Sequence, residues 1–291
     1  MTAPSSSPQA APSAAPPRAA PGAIILAAGK GTRMSSDLPK VVHEVGGRPM
    51  VCAVVDACRE AGCGKVVLVV GYKQELVRGA LARAGVSDVE FAVQEEQHGT
   101  GHAVQCARGF FHAETAEPGH DVFVLAGDGP LIRGATLRRL LGAHRDAGAA
   151  ATLATSVVED PAGYGRIVRD AAGAFQQIVE HKDATPEQLL TREINPSYYV
   201  FDARELFSTL LQVTPNKLSG EYYVTDVPAL LLRAGKTVEV IAAVPPEDVL
   251  SVNTPEQLAE VDRVYRGRAA AGPDKGALSG ARAAPAGTGA A

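Results

Sequence analysis

The sequence predicts an α/β fold in which a mixed, mostly parallel sheet is flanked by helices. Short apolar runs alternate with amphipathic helical patterns over residues 23–125, and this alternation is typical of parallel strands joined by helices. Runs such as AIILA and VFVLA are apolar at every position, as expected for strands covered by helices on both faces. From Ala149 onward the pattern changes to paired strand signals, which predicts a mixed second half.

The elements can be assigned in chain order. Strands are predicted at Ala23–Ala27, Lys65–Val70, Val89–Val93, Asp121–Leu125, Ser197–Phe201 and Thr237–Val244, and helices at Pro49–Ala61, Gln74–Arg83 and Gly101–Arg108. The segment YGRIVRDAAGAFQQIVEH predicts two strands joined by a turn that contains glycine. The pentapeptide TPEQL, present at Thr185–Leu189 and Thr254–Leu258, predicts two helix starts in which the Gln side chain reaches back to the Thr cap. Asn253 therefore stands at the start of a helix.

Composition divides the 291 residues into a folded domain with two tails. Residues 1–22 are almost entirely Ala, Pro and Ser, and residues 269–291 are rich in Ala and Gly, so neither segment can offset the entropy of ordering itself. Both are predicted to be disordered. The folded domain is predicted to span residues 23–268.

Several classes of function are excluded by composition. A net charge of −4 lacks the bulk basic character of a nonspecific nucleic-acid binder. No apolar run is long enough to span a membrane, and the N-terminus has no secretory leader. The four cysteines form no C-x-x-C pair, so we expect reduced thiols and a cytoplasmic protein. The oligomeric state stays open.

A glycine-rich loop follows the first predicted strand, in the run ILAAGKGTRMSSDLPK from Ile25 to Lys40. Such a loop lets backbone N–H groups approach phosphate oxygens. The run does not spell the Walker A motif, and the dinucleotide fingerprint would need a glycine where Met34 stands. Arg33 and Lys40 flank the loop, and two cations beside a phosphate cradle suit the charge that gathers during phosphoryl transfer.

The pattern LxxGxGTRM followed by PK resembles the sugar-1-phosphate nucleotidylyltransferases, and its spacing most resembles the bacterial N-acetylglucosamine-1-phosphate uridylyltransferases. The resemblance implies a Rossmann-like nucleotidyltransferase fold. It also implies a magnesium-dependent reaction of UTP with N-acetylglucosamine 1-phosphate, giving UDP-N-acetylglucosamine for cell-envelope synthesis and pyrophosphate. Arg33 and Lys40 would then be the catalytic cations.

The resemblance also assigns the nucleotide-binding residues, which are Leu26, Ala27, Ala28, Gly29, Gly31, Gln94, Gly99 and Thr100. Gln94 suits this role because an amide offers both a donor and an acceptor to the edge of uracil. The neighbouring His98 and His102 are assigned no chemistry.

Asp128 follows a predicted buried strand, where α/β sheets place their ligands. The resemblance pairs it with Asn253 as the two protein ligands of Mg²⁺, and their oxygens are the ligand type that this ion prefers.

The resemblance assigns the sugar to Ala126, Gly127, Gly165, Glu180 and Asn195. The carboxylate of Glu180 and the side-chain amide of Asn195 can bond sugar hydroxyls. The segment GEYYVTD and Lys217 also resemble the family but receive no role.

The chain departs from the family pattern at four positions near the sugar. Ala126 and Gly129 replace larger residues, which predicts a wider pocket, and Pro196 and Ser197 replace a small residue and a glycine. Uridylyl or thymidylyl transfer to another sugar 1-phosphate therefore stays open, as does a non-catalytic nucleotide-sugar sensor. Relatives of this family continue into a C-terminal β-helix that carries an acetyltransferase. Neither is expected in this chain, which ends in the low-complexity tail.

Overall fold

A computed structural model describes residues 18–34, 36–116 and 119–271. Within them the strands are β1 (Gly22–Ala27), β2 (Glu44–Val45), β3 (Arg48–Pro49), β4 (Lys65–Val70), β5 (Glu90–Val93), β6 (Asp121–Ala126), β7 (Ala151–Val157), β8 (Gly165–Arg169), β9 (Phe175–Val179), β10 (Glu193–Asn195), β11 (Tyr198–Asp202) and β12 (Val238–Ala242). The helices are α1 (Met50–Glu60), α2 (Gln74–Arg83), α3 (Thr100–Cys106), α4 (His112–Ala116), α5 (Gly134–Ala147), α6 (Pro186–Leu189), α7 (Ala203–Leu210), α8 (Val227–Arg233) and α9 (Pro255–Ala271).

The main sheet has the strand order β5-β4-β1-β6-β11-β7-β10-β8-β9, with β12 added to β7. Strands β5, β4, β1 and β6 are parallel neighbours, and β12 is parallel to β7. The pairings of β9, β10 and β11 are antiparallel, so these three strands oppose the direction of the other seven. The predicted fold class, a mixed and mostly parallel sheet flanked by helices, is confirmed.

The two faces of the sheet carry separate apolar cores. On β1, Ile25 points to the core covered by α1, α2 and α5, whereas Ile24 points to the core covered by α3, α7 and α8. Both isoleucines are completely buried. This explains why the strand sequences are apolar at every position, as the prediction required.

A third, smaller core attaches α9 to the loop region that follows β1. Val252 and Val261 pack there against Met34 and Met50. The backbone N–H of Gly46, in the turn between β2 and β3, donates a hydrogen bond of 2.7 Å to Asp262 on α9. The start of α9 is thereby held beside the glycine-rich loop, although the two are distant in sequence.

Most predicted elements lie within one or two residues of the observed ones. Helix α3 and strand β12 differ most. Helix α3 ends at Cys106 instead of Arg108 and is followed by a 3₁₀ turn, and β12 ends at Ala242 instead of Val244. The predicted hairpin is present as β8 and β9, and its turn contains Gly173 at φ +82°. Strands of two or three residues, such as β2, β3 and β10, were not predicted because they are too short to show a period. The longer β7, α5, α7 and α8 were not predicted either.

The predicted tails lie largely outside the described residues. The described chain enters β1 at Gly22 and stays helical to Ala271. None of the helices in the described ranges is both long enough and apolar enough to cross a membrane.

Candidate active site

The glycine-rich loop leaves the carboxyl end of β1 at the edge of the sheet where β4 and β6 also end. Leu26 and Ala27 close the strand, and the carbonyl of Ala28 accepts a hydrogen bond of 3.1 Å from the N–H of Tyr72. Gly31 has φ +71°, and a Cβ at this position would lie 2.6 Å from Cβ of Lys40. Only glycine allows the loop to pack this closely against Lys40.

Arg33 and Lys40, the predicted catalytic cations, meet Asp128 and Asn253, the predicted metal ligands, in one cluster. Arg33 Nη2 and Lys40 Nζ each donate to Oδ1 of Asn253 at 2.9 Å. Lys40 also forms an ion pair with Asp128. The side chains of Lys40 and Asp128 are 17 % and 22 % exposed, so the pair is sheltered but still reachable by a ligand.

Asn253 is held by two hydrogen bonds of its own besides those to the cations, and by one of its neighbour Val252. Its Nδ2 donates to Ser251 Oγ at 3.1 Å, and its backbone N–H donates to Gln257 Oε1 at 2.8 Å. The neighbouring Val252 N–H bonds the carbonyl of Asp128 at 3.1 Å. These bonds fix Asn253 relative to both α9 and the end of β6.

The two TPEQL segments differ in how the Gln side chain is used. At α6 the predicted capping box forms, since Thr185 and Gln188 bond each other's backbone N–H. At α9 the Gln257 side chain bonds Asn253 instead of Thr254, one residue earlier than predicted. The second cap thus orients a candidate ligand residue.

A cleft of about 340 Å³ opens beside this cluster. It is lined by Gly29, Lys30, Gly31, Thr32, Arg33, Lys40, Gln97 and Asn253. Gln97 was not predicted; its Nε2 donates to the carbonyl of Gln94 at 3.2 Å. The cleft is bounded by the glycine-rich loop and three cations, which is the environment that a polyphosphate needs.

The oxygens of Asp128 and Asn253 are suitable ligands for a divalent cation. Both lie against the same ammonium group of Lys40, so they converge on one position that already holds positive charge. The described residues contain no cluster of three or more His, Cys, Asp or Glu side chains placed for a metal. An ion held here would therefore take its other ligands from water or phosphate, which is the usual situation for Mg²⁺.

The residues predicted to bind the base lie between β5 and α3. Gly99 has φ +98°, and a Cβ there would lie 2.5 Å from the carbonyl oxygen of Tyr222. Thr100 begins α3, and its Oγ1 accepts a hydrogen bond of 3.0 Å from the N–H of Val224. Gln94 is 3 % exposed, and its amide nitrogen donates to the carbonyl of Gly99 at 3.1 Å.

The segment GEYYVTD, to which the sequence assigned no role, holds this base loop in place. Tyr222 donates its N–H to the His98 carbonyl at 2.8 Å and accepts from the Gly101 N–H at 2.7 Å. One residue after Val224 the same segment reaches the predicted sugar residues, because the Thr225 hydroxyl donates to Glu180 Oε1 at 3.1 Å. The only sequence signal for this function was the resemblance of the segment to the family.

The predicted sugar residues come from four strands. Ala126 and Gly127 are at the end of β6, and Gly165 at the start of β8 pairs with Asn195 at the end of β10. Glu180 directly follows β9. Burial raises the pKa of the Glu180 carboxyl above its usual value, and the Thr225 hydroxyl partly offsets this effect.

Asn195 is buried and already bonded on both ends of its amide. Its Nδ2 donates to the Tyr199 hydroxyl at 2.6 Å, and its Oδ1 accepts from the Ser197 N–H at 3.1 Å across Pro196. Ser197 has φ +64°, in the left-handed region. This conformation explains why the family pattern has glycine at that position.

The missing side chain at Gly129 was predicted to widen the sugar pocket, but its position lies beside a buried tyrosine. A Cβ on Gly129 would lie 3.4 Å from the hydroxyl of Tyr198, a residue that is 2 % exposed. Tyr198 donates to the Asp248 carbonyl at 3.2 Å and belongs to the core. The side chain missing at Gly129 therefore faces this core residue.

One tyrosine links the sugar residues to the cation cluster. Tyr164 precedes Gly165, and its hydroxyl donates to the Val249 carbonyl at 3.0 Å, in the segment that leads to Asn253. Among the described residues we find no direct hydrogen bond between the five predicted sugar residues and the cation cluster. The residues predicted to bind phosphate and those predicted to bind the sugar thus form adjacent but separate groups.

Comparison with known proteins is consistent with this arrangement. Residues 23–212 match the family model described as the MobA-like NTP transferase domain. The chain belongs to this family. It carries a nucleotidyltransferase domain, and the prediction that it is an enzyme of this class is confirmed.

Curated relatives confirm the resemblance that the motifs indicated. A Bifunctional protein GlmU of Pelotomaculum thermopropionicum is 47 % identical over 246 residues, which cover 84 % of this chain and 52 % of the relative. A protein of the same name from Heliobacterium modesticaldum is 45 % identical with the same coverage. The chain thus spans about half the length of these relatives.

Solved structures share the fold at low sequence identity. A UDP-glucose pyrophosphorylase complexed with UDP-glucose superposes with a TM-score of 0.68 at 18 % identity, covering 86 % of this chain and 99 % of that one. A putative glucose-1-phosphate thymidylyltransferase of Bacillus anthracis has the same TM-score at 20 % identity, with coverage of 85 % and 96 %. At such identities the similarity shows the nucleotidyltransferase fold.

Proposed function

We propose that this protein transfers the uridylyl group of UTP to N-acetylglucosamine 1-phosphate with Mg²⁺ as cofactor. The products are UDP-N-acetylglucosamine and pyrophosphate, and we place the reaction in the cytoplasm, where UTP is available. The observation that carries this proposal is the meeting of Arg33, Lys40, Asp128 and Asn253 beside a cleft bounded by the glycine-rich loop. The names of the curated relatives support the choice of reaction.

In this reaction a phosphate oxygen of the sugar phosphate forms a bond to the α-phosphorus of UTP. The bond from that phosphorus to the bridging oxygen of the β-phosphate breaks, and pyrophosphate leaves with the electron pair. The attacking oxygen is already anionic, so no side chain has to act as a general base. Catalysis then consists of alignment and of charge stabilisation in the transition state.

The side chains divide this work by position. Arg33 and Lys40 lie on the cleft and present cations to the phosphates, while the backbone of Gly29 and Gly31 leaves room for them to approach. Asp128 and Asn253 would hold the magnesium ion, which supplies further positive charge to the reacting phosphates. Their mutual bonds with Lys40 keep these groups in place before the substrate binds, which reduces reorganisation.

Transfer to a different sugar 1-phosphate is the second candidate, and Ala126 and Pro196 favour it. Ala126 has a smaller side chain at the end of β6 than the family pattern has there, and Pro196 lacks the backbone N–H donor that another residue would offer next to Asn195. The solved structures of similar fold include a protein named UDP-glucose pyrophosphorylase and one named as a putative glucose-1-phosphate thymidylyltransferase.

The test is pyrophosphate release from UTP with N-acetylglucosamine 1-phosphate, with and without Mg²⁺. Glucose 1-phosphate, glucosamine 1-phosphate and dTTP are run in parallel. Release that requires Mg²⁺ and the N-acetylated sugar supports the proposal. Release with another sugar or nucleotide replaces the substrate, and no release with any pair indicates a non-catalytic nucleotide-sugar sensor.

A further inference from the structure

The amide of Gln94 has both of its hydrogens engaged by the protein. Its Nε2 donates to the carbonyl oxygen of Gly99 at 3.1 Å and lies 3.1 Å from Nδ1 of His102 on α3. A primary amide nitrogen carries two hydrogens, and a carbonyl oxygen can only accept. The Gly99 carbonyl therefore determines which end of the amide points toward α3.

This arrangement determines the role of His102. Because the amide nitrogen of Gln94 is a donor, His102 Nδ1 has to accept, and the ring hydrogen resides on Nε2. Nε2 lies 3.9 Å from the Sγ of Cys106, a weak acceptor on the next turn of α3. The contacts of both ring nitrogens are thus consistent with one tautomer.

The opposite orientation of the amide is unfavourable. Rotating Gln94 by 180° would place Oε1 about 3.1 Å from the Gly99 carbonyl oxygen, so that two acceptors would face each other. It would also require the other tautomer of His102, with the ring hydrogen on Nδ1 instead of Nε2. The two partners therefore act together to leave Oε1, an acceptor, as the atom that Gln94 offers; the described residues supply it with no hydrogen-bond donor.

We propose that His102 is a positioning residue that holds the Gln94 amide with Oε1 toward the nucleobase and so favours uracil over cytosine. Uracil carries a hydrogen on N3, which Oε1 can accept, whereas N3 of cytosine has a lone pair that Oε1 would repel. This inference rests on the proposed function in taking UTP as the nucleotide, and on the prediction that Gln94 lies against its base.

Two substitutions at His102 separate positioning from general packing. His102→Asn keeps an acceptor where Nδ1 stands, whereas His102→Gln moves the polar atoms toward the position of Nε2. The dissociation constants of UTP and CTP are measured by calorimetry for wild type and both variants. We expect His102→Gln to reduce the preference for UTP over CTP about fivefold to tenfold, the effect of one lost buried hydrogen bond. His102→Asn should keep this preference within about twofold.

A double-mutant cycle tests whether His102 acts through Gln94. In a Gln94→Ala background, His102→Gln should cause no further change in the ratio of the two dissociation constants. A substitution that only loosened the fold would weaken the binding of UTP and CTP equally, so it would leave this ratio unchanged. A wild-type protein without preference for UTP, an unchanged ratio in His102→Gln, an equal loss in His102→Asn, or additive effects in the cycle would each overturn the proposal.

Binding is measured without turnover, so this inference and the proposed function fail separately. If no sugar phosphate releases pyrophosphate but the nucleotide ratios behave as expected, the proposed function is wrong and the role of His102 stands. If pyrophosphate is released but the ratios do not change in the His102 variants, the proposed function stands and the proposed role of His102 is wrong.

Discussion

Lys40 Nζ lies 2.9 Å from Asn253 Oδ1, although 213 positions separate the two residues in the chain. The same ammonium group is paired with Asp128 at the end of β6. One lysine therefore joins the glycine-rich loop, the central sheet and the start of α9. Its position is the basis for the first two predictions.

Replacing Lys40 by Ala should lower kcat by about 10²–10³, the usual cost of one lost contact to a developing anion. The substitution also leaves Asp128 without its cation. Steady-state pyrophosphate release measures the effect. Lys236→Ala is the matched control, because Lys236 pairs with Glu205 on the surface and its loss should leave kcat unchanged. Near wild-type turnover in Lys40→Ala would contradict its catalytic role.

Asp128→Asn should raise the Mg²⁺ concentration needed for half-maximal rate by about tenfold or more, since a neutral amide is a weaker ligand than a carboxylate. A magnesium titration of the rate tests this. Asp146→Asn removes an exposed carboxylate from α5 and serves as the control. A titration curve of Asp128→Asn that superimposes on wild type would remove Asp128 from the metal site.

Glu180→Gln should stabilise the protein at neutral pH while weakening the binding of the sugar phosphate. The pKa of Glu180 is raised in the folded state, mainly by burial. The free energy of unfolding is therefore highest below the ordinary pKa of glutamate, about 4.3, where the Glu180 carboxyl is protonated in both states. It falls as the pH rises through the raised pKa of the folded state, because the buried carboxyl then has to ionise. Glutamine cannot ionise, so it avoids this loss.

Melting temperatures of wild type and Glu180→Gln between pH 4 and pH 8 test this prediction. The difference should be absent at the acidic end and grow toward neutral pH. Glu90→Gln, an exposed carboxylate on β5, should show no such growth. A constant difference across the range would show that ionisation of Glu180 does not determine the effect.

Gly99→Ala should destabilise the protein by about 2–4 kcal/mol and weaken UTP binding. Its φ of +98° is unfavourable for alanine, and the new Cβ would lie 2.5 Å from the Tyr222 carbonyl oxygen. Urea unfolding and UTP titration measure the two effects. Gly109→Ala is the control, because a Cβ there has no heavy atom within 4 Å and φ is not positive.

Ser197→Gly should stabilise the protein by about 0.5–1 kcal/mol, because relief of the left-handed strain exceeds the added entropy of the unfolded glycine. The φ of Ser197 is +64°. Chemical denaturation measures the gain. Ser208→Gly on α7 should instead cost about 0.5 kcal/mol, since glycine is a poor helix former. A loss of stability in Ser197→Gly would show that its contacts outweigh the strain.

Local sequence patterns were sufficient for some of the long elements, although β7 and the 14-residue helix α5 were not predicted. Strand β4 and helix α2 were predicted with their observed bounds. The first is an almost uninterrupted apolar run of six residues, and the second is a ten-residue pattern with the period of an amphipathic helix. The short strand β10 gave no such signal, and it forms because β7 and β8 supply its hydrogen-bond partners. Short elements depend on their neighbours more than on their own residues.

The side chains of the candidate site were named from the family resemblance, but most of their contacts were not. His102 was assigned no chemistry, since nothing in the sequence indicates that its ring lies against the Gln94 amide. Gln257 was predicted to cap Thr254 and instead bonds Asn253. Hydrogen bonds of this kind depend on differences of a few ångströms that a sequence pattern does not encode.

The sequence alone determined the fold class and the glycine-rich loop with its two flanking cations, because these depend on periodicity, backbone freedom and charge, which are local properties. The other residues of the candidate site came from the family resemblance. Only the tertiary structure decided that Lys40 bridges Asp128 and Asn253, and that the Glu221–Thr225 segment holds both the base loop and Glu180. Such contacts join segments more than 40 positions apart and arise from the packing of the sheet, α3 and α9. No local pattern records that packing.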